Sequence, residues 1–267
     1  MSPRARSHAP RALAVEAIGY THPGRERPDN EDAFALALEE RLFIVADGMG
    51  GRNAGAVAAH LAVDELLTFF RHKRAHPRAP WPFPIERRAS FGANLLNVGF
   101  RVVNQKLREA AARDPALRRM GATLGALAIG ETQLVAAHVG DVRIYRIRTG
   151  TIARLTRDHS VAEEMRAARP DLDPEDIAAI APRNVVTKAL GSKDELEPTV
   201  YVNNFAPGDL YLLCSDGLWG SLDDERIAAL ATAHHDLEQS CQSLLDAANE
   251  AGGPDNLTAV LVRVSPR

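Results

Sequence analysis

At 267 residues, 45% hydrophobic and 25% charged, the chain has the composition of an ordinary globular protein, enough for one large buried core. A formal net charge of -3 gives no general attraction to nucleic acid or to an anionic membrane. No apolar run reaches the roughly 18 residues of a membrane-spanning helix, and two cysteines make no disulfide framework. Residues 1–11, rich in Pro, Arg, Ser and His, read as a flexible tail. Its basic residues Arg4, Arg6 and Arg11 precede an apolar stretch that is short and broken by Glu16, so no secretory signal is expected.

Residues 12–265 are expected to form a single domain. Leu13 to Tyr20 alternates Leu13, Val15 and Ala17 on one face, a half-buried strand, and a turn-rich stretch follows from Thr21 to Asn30. Phe34, Leu36 and Leu38 alternate again, and Leu42 to Ala46 is a continuous apolar run, the pattern of a buried strand. From Asn53 to Phe70 the period becomes helical, with Val63, Leu66, Leu67 and Phe70 on one face. Residues 71–89 are a basic, proline-rich connection, read either as a partner-docking loop or, preferably, as a solvated link to the helix Phe91 to Ala112.

Four short strands are then expected, Leu124 to Ile129, Leu134 to Val139, Val142 to Ile147 and Ile152 to Leu155, arranged as an antiparallel meander. Residues 158–198 are irregular and partly helical, with Asp173-Pro174 placed as N-cap and first helical residue. Strands return at Thr199 to Phe205 and Leu210 to Ser215. Ser221 with Asp224 opens a helix, and Leu237, Cys241, Leu244, Leu245 and Ala248 mark another that Gly252 can stop. A strand over Leu257 to Val264 follows. Cys214 falls in a strand and Cys241 in a helix, so both read as small buried hydrophobes suited to a reducing cytoplasm. Runs of strands with helices in pairs give an α+β fold, two antiparallel sheets packed together and flanked by helices.

Chemistry concentrates where apolar runs meet aspartates. Leu42 to Ala46 runs into Asp47 and then Gly48, Gly50 and Gly51; Leu134 to Gly140 runs into Asp141; Leu210 to Ser215 runs into Asp216. Gly252-Gly253-Pro254 leads to Asp255 and Asn256, and Glu31-Asp32 precedes another strand. A single such Asp is a turn residue or helix cap. So many carboxylates would repel one another unless cations sat between them, and hard oxygen donors favour Mg2+ or Mn2+. Thiol-based phosphate chemistry does not fit, because the position six residues after Cys214 is Gly220 and after Cys241 is Ala247, where an Arg is needed. Gly48 to Gly51 also lacks the Lys-Ser/Thr pair of a nucleotide-binding P-loop.

Six motifs occur in order: Arg27-Pro28-Asp29-Asn30-Glu31-Asp32, Ala46-Asp47-Gly48-Met49-Gly50-Gly51, Gly121-Ala122-Thr123-Leu124, Val139-Gly140-Asp141-Val142-Arg143, Cys214-Ser215-Asp216-Gly217 and Gly252-Gly253-Pro254-Asp255-Asn256. Together they resemble the metal-dependent serine/threonine phosphatases of the protein phosphatase 2C family, particularly its compact bacterial members, over about residues 13–264. The resemblance implies a four-layer α-β-β-α sandwich with a binuclear Mn2+/Mg2+ centre at one end of the sheets. It implies that Asp47 bridges two metals, that Asp216 and Asp255 complete one, and that Glu31 and the Gly48 carbonyl serve the other, with Asp32 beside them. Asp141 would help hold a third, weaker ion, Arg27 would bind the substrate phosphate, and Asn256 would orient the Asp255 loop. Paired ions lower the pKa of a shared water for direct in-line attack on phosphorus, and a guanidinium fork matches phosphate oxygens.

Two positions depart from the family pattern. Met49 stands where many eukaryotic members carry a histidine proposed as general acid, and Gly220 stands where an acid often helps the third ion. His159 is the nearest substitute for the missing histidine, with a structural role the preferred reading. The resemblance further implies phosphoprotein substrates of a serine/threonine kinase, a flap-like role for residues 158–198, and a cytoplasmic monomer that neither binds nucleic acid nor inserts in membranes. Two other classes stand beside it: a non-catalytic pseudophosphatase acting as a binding module, and a hydrolase of small phosphoesters.

Overall fold

A computed structural model describes residues 13–51, 53–181 and 185–266; the expected tail, 1–11, lies outside them. In chain order the first elements are β1 (Leu13–His22), β2 (Asp32–Ala37), β3 (Leu42–Met49), α1 (Ala54–Ala75) and α2 (Phe91–Arg113). Next come β4 (Gly121–Ile129), β5 (Gln133–Val139), β6 (Arg143–Arg148), β7 (Thr151–Arg154), α3 (Val161–Ala168) and α4 (Pro174–Ile180). The remaining elements are β8 (Thr199–Asn204), β9 (Leu210–Cys214), α5 (Asp216–Ser221), α6 (Asp224–Ala231), α7 (Leu237–Glu250) and β10 (Leu257–Pro266).

Among the described residues the strands form two five-stranded antiparallel sheets, ordered β1-β10-β9-β6-β7 and β2-β3-β4-β5-β8. β3 shows why its sequence is apolar without alternation. Side chains point alternately to opposite faces of a strand, and both faces of β3 are covered. Phe43 and Val45 pack between the sheets with Leu127, Ile144, Leu213 and Val260. Leu42, Ile44 and Ala46 face the outer layer with Leu66, Phe70 and Phe100 of α1 and α2. On the other side, Leu218, Ile227, Cys241 and Leu244 of α5, α6 and α7 cover β9 and β10. The result is the expected α-β-β-α sandwich, with α1 and α2 on one side and α6 and α7, preceded by the short α5, on the other.

The expected meander is not formed. β4 pairs with β5 and β6 with β7, but β5 and β6 lie in different sheets, bonded to β8 and β9 respectively. Gly140-Asp141 carries the chain across, with Gly140 at a φ of 92° and no room for a side chain beside Thr123. Strand period identifies a strand but not the sheet it joins. β3 also runs on through Asp47 to Met49 rather than ending at Ala46, pairing Asp47 with Asp32 and with Thr123. Asp216 to Ser221 is helical, and the helix expected to open at Ser221 begins instead at Asp224, where Asp223 caps it by accepting from the Arg226 N–H at 2.7 Å. Asp173-Pro174 occupies the N-cap and first-turn positions as expected.

The basic connection is mostly exposed but is more than a solvated link. Lys73 is 1% exposed, with its ammonium 4.2 Å from the Trp81 ring centroid. It donates to the carbonyls of Pro77 and Ala79, and Trp81 packs on Phe69 and Phe91. The link therefore folds over one buried cation. Lys73→Ala should lower the unfolding free energy by about 2 kcal/mol, the scale of a hydrogen bond to a charged donor. Urea titration measures this, and an unchanged midpoint would show that the cation does not hold the link.

Candidate active site

The carboxylate-bearing ends of β2, β3 and β9, the β5–β6 crossing and the turn before β10 meet at one end of the sheet pair. They line a cleft of about 510 Å3 with Arg27, Glu31, Asp47, Gly48, Asp141, Asp216, Asp255 and Asn256 in its wall. Every site residue expected from the sequence is therefore on the cleft except Asp32, which lies beneath it.

Asp32 is 3% exposed, and its Oδ2 accepts from the Ser215 hydroxyl at 2.7 Å and the Thr258 hydroxyl at 2.6 Å. Its Oδ1 has no partner among the described residues. These hydroxyls tie β2 of one sheet to β9 and β10 of the other directly below the cleft. Sequence reasoning missed Ser215 and Thr258, since a hydroxyl beside an apolar strand carries no pattern of its own.

Asn256 does more than orient its own loop. Its Oδ1 accepts from the Glu31 N–H at 2.8 Å, and its Nδ2 donates to the carbonyls of Pro23 and Asp29 at 2.9 Å each. One amide thus fixes the segment that carries both Arg27 and Glu31. The Glu31 carbonyl in turn accepts from the Gly48 N–H at 3.0 Å. Gly48 must lack a side chain, because a Cβ there would collide with the backbone of Gly55 and Glu31. Arg27 donates to Asp255 Oδ2 at 2.8 Å while its side chain stays 55% exposed, so the remaining guanidinium donors are open to the cleft.

Electrostatics set the character of the site. Burial, then repulsion from Asp32, Asp216 and Asp141, pushes Asp47 well above the usual carboxylate range. Burial pushes Asp32 and Asp141 up to about 7, with Asp216 adding to both. Asp216 rises to about 6 by burial and then by repulsion from Asp255. Cations reverse such shifts. Among the described residues no three Asp, Glu, His or Cys side chains already sit at metal-ligand spacing around one point, so an ion shared by several of these carboxylates would have to draw them together. Backbone carbonyls and waters would complete each shell, which suits Mg2+ and Mn2+. The all-oxygen donor set, the unpartnered Asp32 oxygen and the space kept by Gly48 fit hard divalent cations.

The two departures resolve structurally. His159 is no acid: its Nδ1 accepts from the Gly140 N–H at 3.1 Å, its Nε2 pairs with the Thr199 hydroxyl at 2.8 Å, and burial pushes it down to about 3. Gly220 lies in α5 at a φ that is not left-handed, with open space where a side chain would project. An acid would fit there, one turn on from Asp216, so only the residue type removes that ligand.

A sequence model described as Protein phosphatase 2C matches residues 18–262. The protein phosphatase PhpP of Streptococcus pneumoniae is 33% identical over 248 residues, 92% of this chain and 96% of that one. The serine/threonine phosphatase stp of Listeria monocytogenes is 32% identical over 245 residues, 91% of this chain and 93% of that one. The catalytic domain of the serine threonine protein phosphatase PstP, solved in complex with 2 manganese ions, superposes with a TM-score of 0.80 at 29% identity, covering 95% of this chain and 100% of that one. PppA of Pseudomonas aeruginosa superposes with a TM-score of 0.76 at 34% identity, covering 94% and 97%.

Two measurements check this site. Asn256→Asp should turn two donor contacts into repulsion between oxygens and release the 23–31 segment, so kcat/KM falls at least about tenfold; unchanged kinetics would remove Asn256 from the site's support. For the metal-free protein, burial raises the folded-state pKa of Asp32, Asp141 and Asp216 above the ordinary aspartate value of 3.8. Groups raised in this way favour the folded state below their unfolded pKa and lose that contribution as pH rises. Tm without metal should therefore fall between about pH 4 and pH 7, and added Mn2+ should restore it at pH 8. A metal-free Tm that rises over that window would contradict the carboxylate assignment.

Proposed function

The chain belongs to the protein phosphatase 2C family, and on that premise we propose that it is a metal-dependent phosphatase of phosphoserine and phosphothreonine in proteins. The observation that carries the reading is the convergence of Glu31, Asp47, Asp141, Asp216 and Asp255 on one cleft beside the guanidinium of Arg27. Asp47 would be a ligand common to two Mn2+ or Mg2+ ions, Asp216 and Asp255 would help hold one of them, and Glu31 with the Gly48 carbonyl would help hold the other. Asp141 would serve a weaker third ion. When bound, the ions supply the Lewis acidity that makes water a nucleophile near neutral pH and offsets phosphoryl charge.

The chain's own residues supply the rest. Arg27, held at one nitrogen by Asp255, presents its other donors to phosphate oxygens and orients the ester for in-line displacement. Asp32 stays beneath the ligands and buttresses Asp216 through Ser215. Met49 cannot donate a proton and His159 has none to give at Nδ1, so the proton for the departing serine or threonine oxygen would come from water rather than from either side chain. The substrates are phosphoproteins made by a serine/threonine kinase. No helix among the described residues is long and apolar enough to cross a membrane. We further propose a cytoplasmic monomer with no nucleic-acid partner: the two free cysteines are buried, which suits a reducing compartment, and a net charge of -3 gives no general attraction to nucleic acid. The full carboxylate set argues against a pseudophosphatase.

Turnover of a phosphothreonine peptide and of p-nitrophenyl phosphate, with Mn2+ and with EDTA, tests the reading. Activity on the peptide that requires the cation is expected; full activity in exhaustively chelated protein, or cation-dependent activity confined to the small ester, would overturn it. Arg27→Ala should reduce kcat/KM about 10- to 150-fold, the worth of a charge-assisted hydrogen bond. Unchanged kinetics would make Arg27 a surface residue of a turn.

A further inference from the structure

The Gly140-Asp141 crossing is gripped from two sides by side chains to which the phosphatase reading gives no part. On one side the Trp219 indole N–H donates to the Asp141 carbonyl at 3.0 Å. That indole is covered by the Arg143 guanidinium, 3.5 Å from the ring centroid. Arg143 is itself locked by hydrogen bonds of 3.1, 3.1 and 2.7 Å to the buried Asp158.

On the other side His159 holds Gly140 twice. Its backbone N–H donates to the Gly140 carbonyl at 2.9 Å, and its Nδ1 accepts from the Gly140 N–H at 3.1 Å. The imidazole cannot turn, because Nε2 is bonded to the Thr199 hydroxyl and the ring stacks on His138 at 4.5 Å. Asp141 is 5% exposed and follows a glycine at a φ of 92°. Where its carboxylate points is therefore decided by the backbone that Trp219 and His159 hold.

We infer that Trp219 and His159 are positioning residues for Asp141, setting the affinity of the outer cation without touching it. The inference rests on the assignment of Asp141 as a cation ligand. A cation with few protein ligands depends strongly on how well those few are held, since the groups that orient a ligand tune the affinity of its site. The paired ions that Asp47, Glu31, Asp216 and Asp255 would hold take no ligand from this crossing. The two substitutions should thus separate the sites rather than weaken all of them.

Calorimetric titration of Mn2+ into metal-free protein tests this with wild type, Trp219→Phe, His159→Leu and His159→Asn. Phe keeps a ring under Arg143 but has no N–H, and Asn offers Oδ1 where the imidazole offers Nδ1. The weakest site should lose affinity about three- to tenfold in Trp219→Phe and His159→Leu, recover in His159→Asn, and leave the tight sites unchanged in all three. A second arm uses Trp81→Phe, which leaves Trp219 alone of the 2 tryptophans; its emission should change over the Mn2+ range that fills the weakest site, and not in Trp81→Phe/Asp141→Ala. Affinity unmoved at the weakest site, affinity lost equally at every site, or emission blind to that range would overturn the inference. A wild-type chain that takes up no Mn2+ would overturn the phosphatase reading, and this inference with it.

Discussion

Like charges gathered at one end of two apolar sheets are the constraint on which this molecule depends. Asp47 cannot retreat from its neighbours, because the strand that carries it is buried on both faces up to that residue. Asp32 is paired to it across the β2–β3 ladder, and Asp216 and Asp141 stand at the ends of other buried strands. Rigid, inward-packed strands hold the carboxylates at separations that water alone would let them escape. Burial first, and then repulsion among these neighbours, raises the proton affinity of Asp32, Asp47, Asp141 and Asp216.

The supports around the cluster are nearly all uncharged. Ser215 and Thr258 hold Asp32, Asn256 holds the 23–31 segment, and Trp219 reaches a carbonyl rather than a carboxylate. Among the described residues Arg27 is the one basic side chain lining the cleft, and it is already engaged with Asp255. Positive side chains placed among the carboxylates would satisfy their charge permanently and close the site to ions. The guanidiniums of Arg143, Arg154, Arg157 and Arg166 are instead drawn to Asp158 and Glu163 at the base of α3. Charge compensation is thus divided: permanent below the crossing, exchangeable in the cleft.

How far this could be read from the sequence follows from what each feature depends on. The buried strand at Leu42, the helix at Asn53 and the aspartate after each apolar run are local patterns, and they were legible. The carboxylates, Arg27 and Asn256 could be assembled because their motifs recur in a known order. The sheet change at Gly140 was not legible, because β6 has the same period whichever sheet it joins. α5 is six residues long and mixes Asp216, two glycines and a serine, too short and too polar for a helical period. Ser215, Thr258 and Trp219 act on partners 78 to 226 residues distant, which no local pattern encodes; the packing of Lys73 is local, on Pro77, Ala79 and Trp81, but a basic, proline-rich run has no period that announces a buried cation.

The position of β10 has a kinetic consequence. It is an interior strand, between β1 and β9, yet residues 257–266 are synthesised after every other strand among the described residues. Until they emerge, β1 has no partner in its sheet and Thr258 is missing from beneath Asp32. A growing chain can pack β2, β3, β4 and α1 early and remain inert. Insertion of one late, long-range strand between β1 and β9 completes the sheet and the cleft in the same event, so the polypeptide acquires its chemistry only when translation has passed β10.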